Sequence, residues 1–158
     1  MTRVLVSFFS ASGVTAKLAE DLAKVIGADV FEIEPKERYT DADLDWKDKT
    51  SRSSVEMNDR SSRPAIKSSV EDISKYDTIF VGFPIWWYRE PSIIDTFLEA
   101  YDFSGKTLIP FATSGISELG ETSDNFRALA PSAIVKEGKR FPSNASEDEL
   151  KAWAEQFI

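Results

Sequence analysis

The sequence predicts an α/β fold in which a parallel sheet is covered by helices on both faces. Short apolar runs rich in β-branched and aromatic residues recur along the chain, and amphipathic helical patterns fall between them. Near-continuous apolar runs are typical of strands that are buried on both faces. Their alternation with helices predicts a three-layer α/β/α sandwich with right-handed crossovers. The length of 158 residues suits one domain, so we expect a single domain over 1–158.

Five strands are predicted. They are Val4–Phe9, Asp29–Glu34, Thr78–Phe83, Thr107–Ala112 and Ala133–Lys136. The second run alternates between apolar and polar residues, so we expect it to be more exposed than the others. The fourth run contains Pro110, an awkward member of a strand because its nitrogen cannot donate a hydrogen bond.

Four amphipathic helices are predicted between and after these strands. The first has one apolar face and ends at a glycine, which is typical of a helix C-terminus; its positions are Val14, Leu18, Leu22, Val25 and then Gly27. The second is entered through Pro91 and Ser92, and the third covers Ser123–Leu129. The last begins after Ser146, with acidic residues in its first turn, and would bury Leu150, Trp153 and Phe157.

The segment 36–69 does not fit this alternation. It is polar, rich in Ser, Arg and Asp, and shows no clear period. Connections of this length in a compact domain are usually functional or disordered. We therefore interpret 36–69 as a long polar insertion or a lid.

The chain has no cysteine and no histidine. The absence of cysteine excludes disulfides and thiolate nucleophiles. The absence of histidine excludes hydrolytic triads built on that residue and removes the commonest zinc ligand. Any chemistry would therefore use carboxylates, hydroxyls, lysine or tyrosine, or a bound cofactor. Of these we expect a bound cofactor, with no catalytic side chain and no metal site.

The acidic run at Asp41, Asp43 and Asp45 partly matches a calcium-binding loop. The EF-hand pattern requires glycine at the next position and glutamate at the twelfth. The chain has Trp46 and Arg52 there, so the run is interpreted as a helix start or a solvated loop.

The formal net charge of −8 argues against nucleic acid and anionic membranes as partners. No apolar run approaches the roughly 20 residues that span a bilayer, and Val4–Phe9 is too short for the apolar region of a signal peptide. We expect a cytoplasmic protein, monomeric, with a dimer as the alternative.

The loop after the first strand offers an anion site. It carries several hydroxyls and a glycine, and it opens directly into the first helix, whose N–H groups and dipole favour negative charge. It lacks the lysine of a P-loop and the three glycines of a dinucleotide fingerprint. The alternative is an ordinary strand-to-helix turn with a serine cap.

This loop resembles the phosphate loop of the flavodoxins, which follows the first strand with the pattern Ser/Thr-x-Ser/Thr-Gly-x-Thr. The resemblance implies that Ser10, Ser12, Gly13, Val14 and Thr15 hold the phosphate of FMN. It also implies a flavodoxin-like fold with a five-stranded parallel sheet in the order 2-1-3-4-5. In that order the FMN lies where the winding reverses, between the first and third strands.

The third strand leads into three consecutive aromatic residues. This run is similar to the loop after the third strand in small bacterial flavodoxin-like proteins, and the resemblance implies that Pro84, Ile85, Trp86, Trp87 and Tyr88 contact the flavin. Those relatives often have a small residue where this chain has Tyr88. The alternative is that the two tryptophans cap the core and the tyrosine covers the surface.

The fourth strand leads into another loop rich in serine and glycine. In the related proteins this loop lies along the flavin ring, which implies that Thr113, Ser114 and Gly115 bind the cofactor. Ser117 and Gly120 match more loosely. The alternative is a flexible turn followed by a helix cap.

Together, these features predict an FMN-binding, low-potential, one-electron carrier that serves redox partner proteins. The alternative within the same fold is an NAD(P)H-dependent FMN reductase of quinones, azo or nitro compounds, for which the segment 36–69 would serve as a lid. A cofactor-free interaction scaffold is the third class, and it explains neither the hydroxyl loop nor the double tryptophan.

Overall fold

The computed structural model describes residues 3–114 and 119–158. Within these ranges the chain forms six strand segments and five α-helices. The strands are β1 Val4–Phe8, β2 Asp29–Glu32, β3 Thr78–Pro84, β4 Thr107–Thr113, β5 Ile134–Val135 and β6 Lys139–Phe141. The helices are α1 Val14–Ile26, α2 Arg52–Asn58, α3 Ser92–Ala100, α4 Thr122–Leu129 and α5 Glu147–Ala154.

The strands form one parallel sheet in the order β2-β1-β3-β4-β5, which confirms the predicted order. The predicted strand at Ala133–Lys136 is only two residues long, and the sequence did not indicate β6. Both segments pair with β4, β5 near its start and β6 near its end, so together they occupy the fifth position in the sheet.

Pro110 explains why the fifth position is divided. The carbonyl of Leu108 accepts a hydrogen bond from the N–H of Lys136, at 2.9 Å, so the backbone of Leu108 faces the fifth position. Residues two apart on a strand face the same neighbour, so Pro110 faces the fifth position too and has no N–H to offer there. Pairing on that side resumes at Phe111, which is in register with Lys139.

Two apolar clusters lie on opposite faces of the sheet. Alternate residues of the central strands point into each cluster, as the two-residue period of a strand requires. Helices α3 and α4 cover the first cluster, which contains Ile79, Val81, Phe83, Phe97 and Phe126. Helices α1 and α5 cover the second, which contains Leu18, Leu22, Phe80, Leu150 and Trp153.

The helices predicted from apolar spacing are present with small changes at their ends. Gly27 caps α1 in the left-handed conformation, and the hydroxyl of Ser146 accepts from the Glu149 N–H at the start of α5. Trp153 is buried in the second cluster, and Phe157 packs against it as predicted. Among the described residues, no helix has both the length and the apolar character needed to cross a membrane.

The segment 36–69 is folded against the sheet and contains α2, which the sequence did not indicate. Its two ends are held together by antiparallel pairing, in which the Lys36 N–H donates to the Ala65 carbonyl and the Lys67 N–H to the Glu34 carbonyl, both at 2.8 Å. Met57 is buried, whereas Trp46 is 68% exposed. The segment 36–69 therefore begins and ends beside the residues that follow β2.

Candidate functional site

Three loops meet at one edge of the sheet, because β1, β3 and β4 all run parallel and end there. Phe8 at the end of β1 is in register with Gly82, and Pro84 at the end of β3 is in register with Thr113 at the end of β4. This is the edge at which ligands bind in open α/β sheets. The residues predicted after the first, third and fourth strands are therefore neighbours.

The first loop ends in a helix start that no side chain caps within the described structure. Gly13 has a φ of 92°, a left-handed value that favours glycine, and it directly precedes α1. The Ser10 hydroxyl accepts from the Gly13 N–H at 3.0 Å, which folds the loop back on itself. Ser12 and Val14 are exposed. The first N–H groups of α1 are placed to receive an anion.

Thr15 and Thr113 connect this loop to the end of β4. Their Oγ1 atoms are 2.7 Å apart, and both side chains are buried. The carbonyl of Thr113 also accepts from the Ile85 N–H at 3.3 Å. Hydrogen bonds thus join all three loops, through Thr15 in the first loop, Ile85 in the aromatic loop and Thr113 at the end of β4.

The aromatic residues after β3 form a tight two-residue turn. The Trp86 N–H donates to the Arg89 carbonyl at 3.1 Å, and the Arg89 N–H donates to the Trp86 carbonyl at 3.2 Å. Trp87 and Tyr88 between them have φ values of 49° and 63°. A hairpin turn with two positive φ values is the type usually built from Asn and Gly. Two bulky residues in these conformations store backbone strain.

The three aromatic side chains of this turn differ in their surroundings. Trp86 packs edge-on against Phe9 and Tyr39, with ring centroids 5.6 Å and 5.4 Å apart. Trp87 and Tyr88 are exposed. Trp86 therefore fits the alternative of a residue that caps the core, whereas the other two point outward from the site edge.

The turn is also attached to the start of α4. The Tyr88 carbonyl accepts from the Glu121 N–H at 3.2 Å, and a Cβ at Gly120 would overlap that carbonyl oxygen. Gly120 has a φ of 58°, which further favours glycine. Gly115 and Ser117, two of the predicted residues of this loop, lie outside the described residues. The Ser114 carbonyl accepts from the Arg140 guanidinium at 3.0 Å.

A cavity of about 640 Å³ opens between the turn and the segment 36–69. Leu44, Trp46 and Ser53 line it from the segment, and residues 85–88 line it from the turn. A second cavity of about 630 Å³ shares Trp46 and Trp87 and continues past Lys47 and Lys49. We refer to the two together as the Trp46–Trp87 groove.

Charged side chains are buried directly behind the turn. The Arg89 guanidinium donates to the Asp95 carboxylate at 3.1 Å, and Glu90 accepts from the Asn125 amide at 2.9 Å. Arg89, Glu90 and Asp95 are each less than 5% exposed. Burial, followed by the nearby charge of Asp95, raises the pKa of Glu90 to about 8. Burial also raises the pKa of Asp95.

Tyr39 anchors the segment 36–69 to the site edge. Its hydroxyl donates to the Glu56 carboxylate, and the Arg52 guanidinium lies 3.9 Å from its ring centroid. Burial and the hydrogen bond to Glu56 raise the pKa of the Tyr39 hydroxyl. The described residues contain no group of three or more His, Cys, Asp or Glu side chains placed to hold a metal ion.

Sequence reasoning did not identify three features of this edge. They are the Trp46–Trp87 groove, the Tyr39 anchor and the buried charges of Arg89, Glu90 and Asp95. A tryptophan in the polar segment, Trp46, was the available signal for the groove. No sequence pattern indicated that Arg89 and Glu90, which follow the turn, are buried.

Comparison with known proteins identifies the family. The flavodoxin family model matches residues 3–157. A candidate flavoprotein from Bacteroides eggerthii is 46% identical, with 99% of this chain and 98% of that chain covered and a TM-score of 0.93. A flavoprotein from Lactobacillus acidophilus, solved in complex with FMN, is 22% identical, with coverage of 98% and 99% and a TM-score of 0.76. A comparison with curated proteins gave no match. The match over almost the whole chain, at the fold and site edge described above, shows that this chain belongs to the flavodoxin family.

Proposed function

We propose that this protein binds FMN and transfers single electrons between redox partner proteins. The observation that carries the proposal is the hydrogen bond between Thr15 and Thr113, which joins the hydroxyl loop to the end of β4 at the ligand-binding edge. Family membership and the FMN complex of the Lactobacillus acidophilus flavoprotein support the same cofactor. FMN would supply the redox chemistry, and the chain would supply its binding and its electrostatic surroundings.

The residues of the first loop fit a terminal phosphate. Thr15 places a buried hydroxyl beside an uncapped helix start, and Ser12 offers a second hydroxyl from the surface. A phosphate dianion would accept from these hydroxyls and from the N–H groups of Val14 and Thr15. No lysine or arginine is required, because the helix dipole favours the negative charge.

The charge of the chain supports a low potential and a basic partner. The net charge of −8 disfavours additional negative charge on a reduced flavin, and it favours encounter with a positively charged docking face. Trp87 and Tyr88 are exposed at the turn, where electrons would leave the site.

Anaerobic titration of the FMN-loaded protein with dithionite tests the proposal. We expect half-reduced flavin to accumulate, because a one-electron carrier must stabilise that state, and we expect NADPH or NADH alone to reduce the flavin slowly. Rapid reduction by a nicotinamide, with no half-reduced flavin, would overturn the carrier assignment.

One observation favours the second candidate, an NAD(P)H-dependent FMN reductase. The Trp46–Trp87 groove lies beside the proposed ring-binding turn and has room for a small organic molecule. A reductase needs such space for its hydride donor or acceptor, whereas a carrier needs only an exposed ring edge. The same titration separates the two candidates.

A further inference from the structure

We propose that Glu90 and Asp95 share one proton as a buried carboxyl pair, and that this pair positions the turn Trp86–Arg89 for the flavin. The inference rests on the proposed FMN site and adds to it a control of flavin affinity by pH. The two carboxyl groups act on the flavin through the backbone of the turn. They are therefore positioning residues rather than catalytic ones.

Arg89 connects the turn to the two carboxyl groups. Its backbone N–H and carbonyl make both hydrogen bonds that close the turn with Trp86. Its guanidinium is buried, 3.1 Å from the Asp95 carboxylate and 3.4 Å from the Glu90 carboxylate. One residue thus both closes the turn and contacts the carboxyl pair, so a movement of the pair is transmitted directly to the turn.

The buried charges do not balance without a proton. Glu90, Asp95 and Arg89 are all buried, and Arg89 is the one lysine or arginine that is buried in the described part of the chain. Ionisation of both carboxyl groups would place two negative charges against a single positive one in a site closed to water, which is costly. Binding of one proton leaves one carboxylate for one guanidinium.

An unpaired oxygen indicates where the proton lies. Oδ1 of Asp95 is buried and has no hydrogen-bond partner among residues 3–114 and 119–158, whereas Oδ2 accepts from Arg89 at 3.1 Å. A protonated Glu90 can donate to Oδ1, because a carboxylic acid has a hydrogen to donate and a carboxylate does not. Burial, the charge of Asp95 and a hydrogen bond with Asp95 raise the pKa of Glu90 to about 8. At neutral pH the proton therefore belongs to Glu90.

Two arginines of the segment 36–69 approach the pair from outside, and each has its own carboxylate partner. The ion pairs are Arg60 with Glu121 and Arg63 with Glu99. Arg63 also lies 4.0 Å from Asp95. Arg60 reaches Glu90 through Asn125, which accepts from Arg60 at 3.3 Å and donates to Glu90 at 2.9 Å. The pair thus has one buried cation, and the two outer cations are shared with other carboxylates.

Loss of the proton would act on the turn because few contacts hold the turn in place. Trp87 and Tyr88 are exposed and have positive φ values, so the turn is strained and gains little from packing. The Glu121 N–H attaches it to α4 through the Tyr88 carbonyl, at 3.2 Å. Two ionised carboxyl groups repel one another, and outward movement of Glu90 with the turn would let water reach one of them. Flavin affinity would then fall with the fraction of chains that keep the turn closed.

Titrations of FMN and riboflavin at two pH values, followed by flavin fluorescence, test the coupling. We expect the wild type to bind both flavins about tenfold more weakly at about pH 9 than at about pH 7, since about one chain in ten would keep the proton at the higher pH. Riboflavin has no phosphate, so a loss shared by both flavins reports on the turn rather than on the first loop. Glu90→Gln should bind each flavin equally at the two pH values, because its neutral amide can donate to Asp95.

A control variant and a direct measurement of the proton accompany these titrations. Glu137→Gln removes an exposed carboxylate outside the pair and should show the wild-type loss of affinity. Carbon NMR of the full chain without flavin, labelled at the glutamate carboxyl groups, follows the proton itself. One carboxyl carbon should titrate near pH 8 in the wild type and in Glu137→Gln, and this signal should be missing in Glu90→Gln.

The outcomes separate the carboxyl pair from the FMN site. The proposal is overturned if no glutamate carboxyl titrates near pH 8, if both affinities are the same at the two pH values, or if Glu90→Gln keeps the wild-type pH dependence. A loss for FMN alone would assign the pH dependence to the phosphate and would also overturn it. Absence of flavin binding at every pH would overturn the proposed FMN site and the coupling together, whereas normal binding without pH dependence would overturn the coupling alone.

Discussion

The hydroxyls of Thr15 and Thr113 are 2.7 Å apart in a buried contact between residues 98 positions apart in the chain. Thr15 belongs to the first turn of α1, and Thr113 is the last residue of β4. The parallel register of the sheet brings them together, and the contact connects two of the loops expected to hold the cofactor. Thr113 can donate to Thr15, which leaves the Thr15 hydrogen free for a phosphate oxygen.

Replacement of Thr15 by valine should weaken FMN about tenfold or more. A charge-assisted hydrogen bond is worth roughly 1.5–3 kcal/mol, and valine preserves the shape of the buried side chain. Thr113→Val should have a smaller effect, because it removes only the group that orients Thr15. Riboflavin, which lacks the phosphate, should be almost indifferent to both changes in a fluorescence titration. Equal losses for FMN and riboflavin would show that the loop does not bind phosphate.

The cofactor should be FMN rather than FAD. The first loop can hold one terminal phosphate, and the chain has no dinucleotide fingerprint that would hold an adenylate. Cofactor released by heat from the purified protein should elute as FMN on chromatography. Recovery of FAD in stoichiometric amount would contradict this prediction.

Trp87 and Trp86 should respond differently to removal. Trp87→Ala should brighten the fluorescence of bound FMN and shift its potentials, because an exposed indole beside the flavin quenches its emission. Trp86→Ala should chiefly lower the free energy of unfolding, by about 3 kcal/mol, because Trp86 packs against Phe9 and Tyr39. Emission and potentials in both variants, together with urea unfolding, check the distinction. If Trp87→Ala leaves the emission unchanged, Trp87 does not contact the ring.

The strain in the turn at Trp87 and Tyr88 should be measurable. Tyr88 is 71% exposed with a φ of 63°, so its replacement removes little packing and tests the backbone. We expect Tyr88→Val to be less stable than Tyr88→Asn by about 1–2 kcal/mol in urea unfolding, because asparagine tolerates the left-handed conformation and a β-branched residue does not. The same pair of substitutions at Ile134, exposed in β5, should rank in the opposite order. Equal stability of the two Tyr88 variants would exclude strain at this position.

Glu90 should make stability depend on pH. Its pKa is raised from 4.5 to about 8, so the folded state keeps the proton that the unfolded state releases. The contribution of Glu90 to the free energy of unfolding is therefore fully present below about pH 4.5. It is lost progressively as the pH rises to about 8. Glu90→Gln should therefore gain stability relative to the wild type across this range, since glutamine still accepts from Asn125.

Thermal unfolding of the wild type and Glu90→Gln at a series of pH values checks this prediction. Glu137→Gln, which removes an exposed carboxylate, is the matched control and should stay parallel to the wild type. A constant difference between Glu90→Gln and the wild type would show that Glu90 is ionised in the folded protein.

Local patterns in the sequence predicted the layers and the location of the candidate loops, and the resemblance of those loops to the flavodoxins implied the strand order. Apolar runs and helical spacing are local properties, and the parallel connection of strands through helices leaves few possible topologies. The serine loop and the aromatic run were visible for the same reason, because each is a contiguous motif beside a predicted strand end.

Which residues meet across the chain, and which are buried, became known from the three-dimensional structure. The division of the fifth strand follows from Pro110 facing that side of β4, and a strand pattern does not reveal this orientation. The helix Arg52–Asn58 lacks a strong apolar period because two of its three buried residues, Ser53 and Ser54, are polar. The roles of Trp86 and Trp87 differ because Tyr39 and Phe9 lie beside one and not the other. The raised pKa of Glu90 arises from its burial next to Asp95, which depends on packing rather than on sequence.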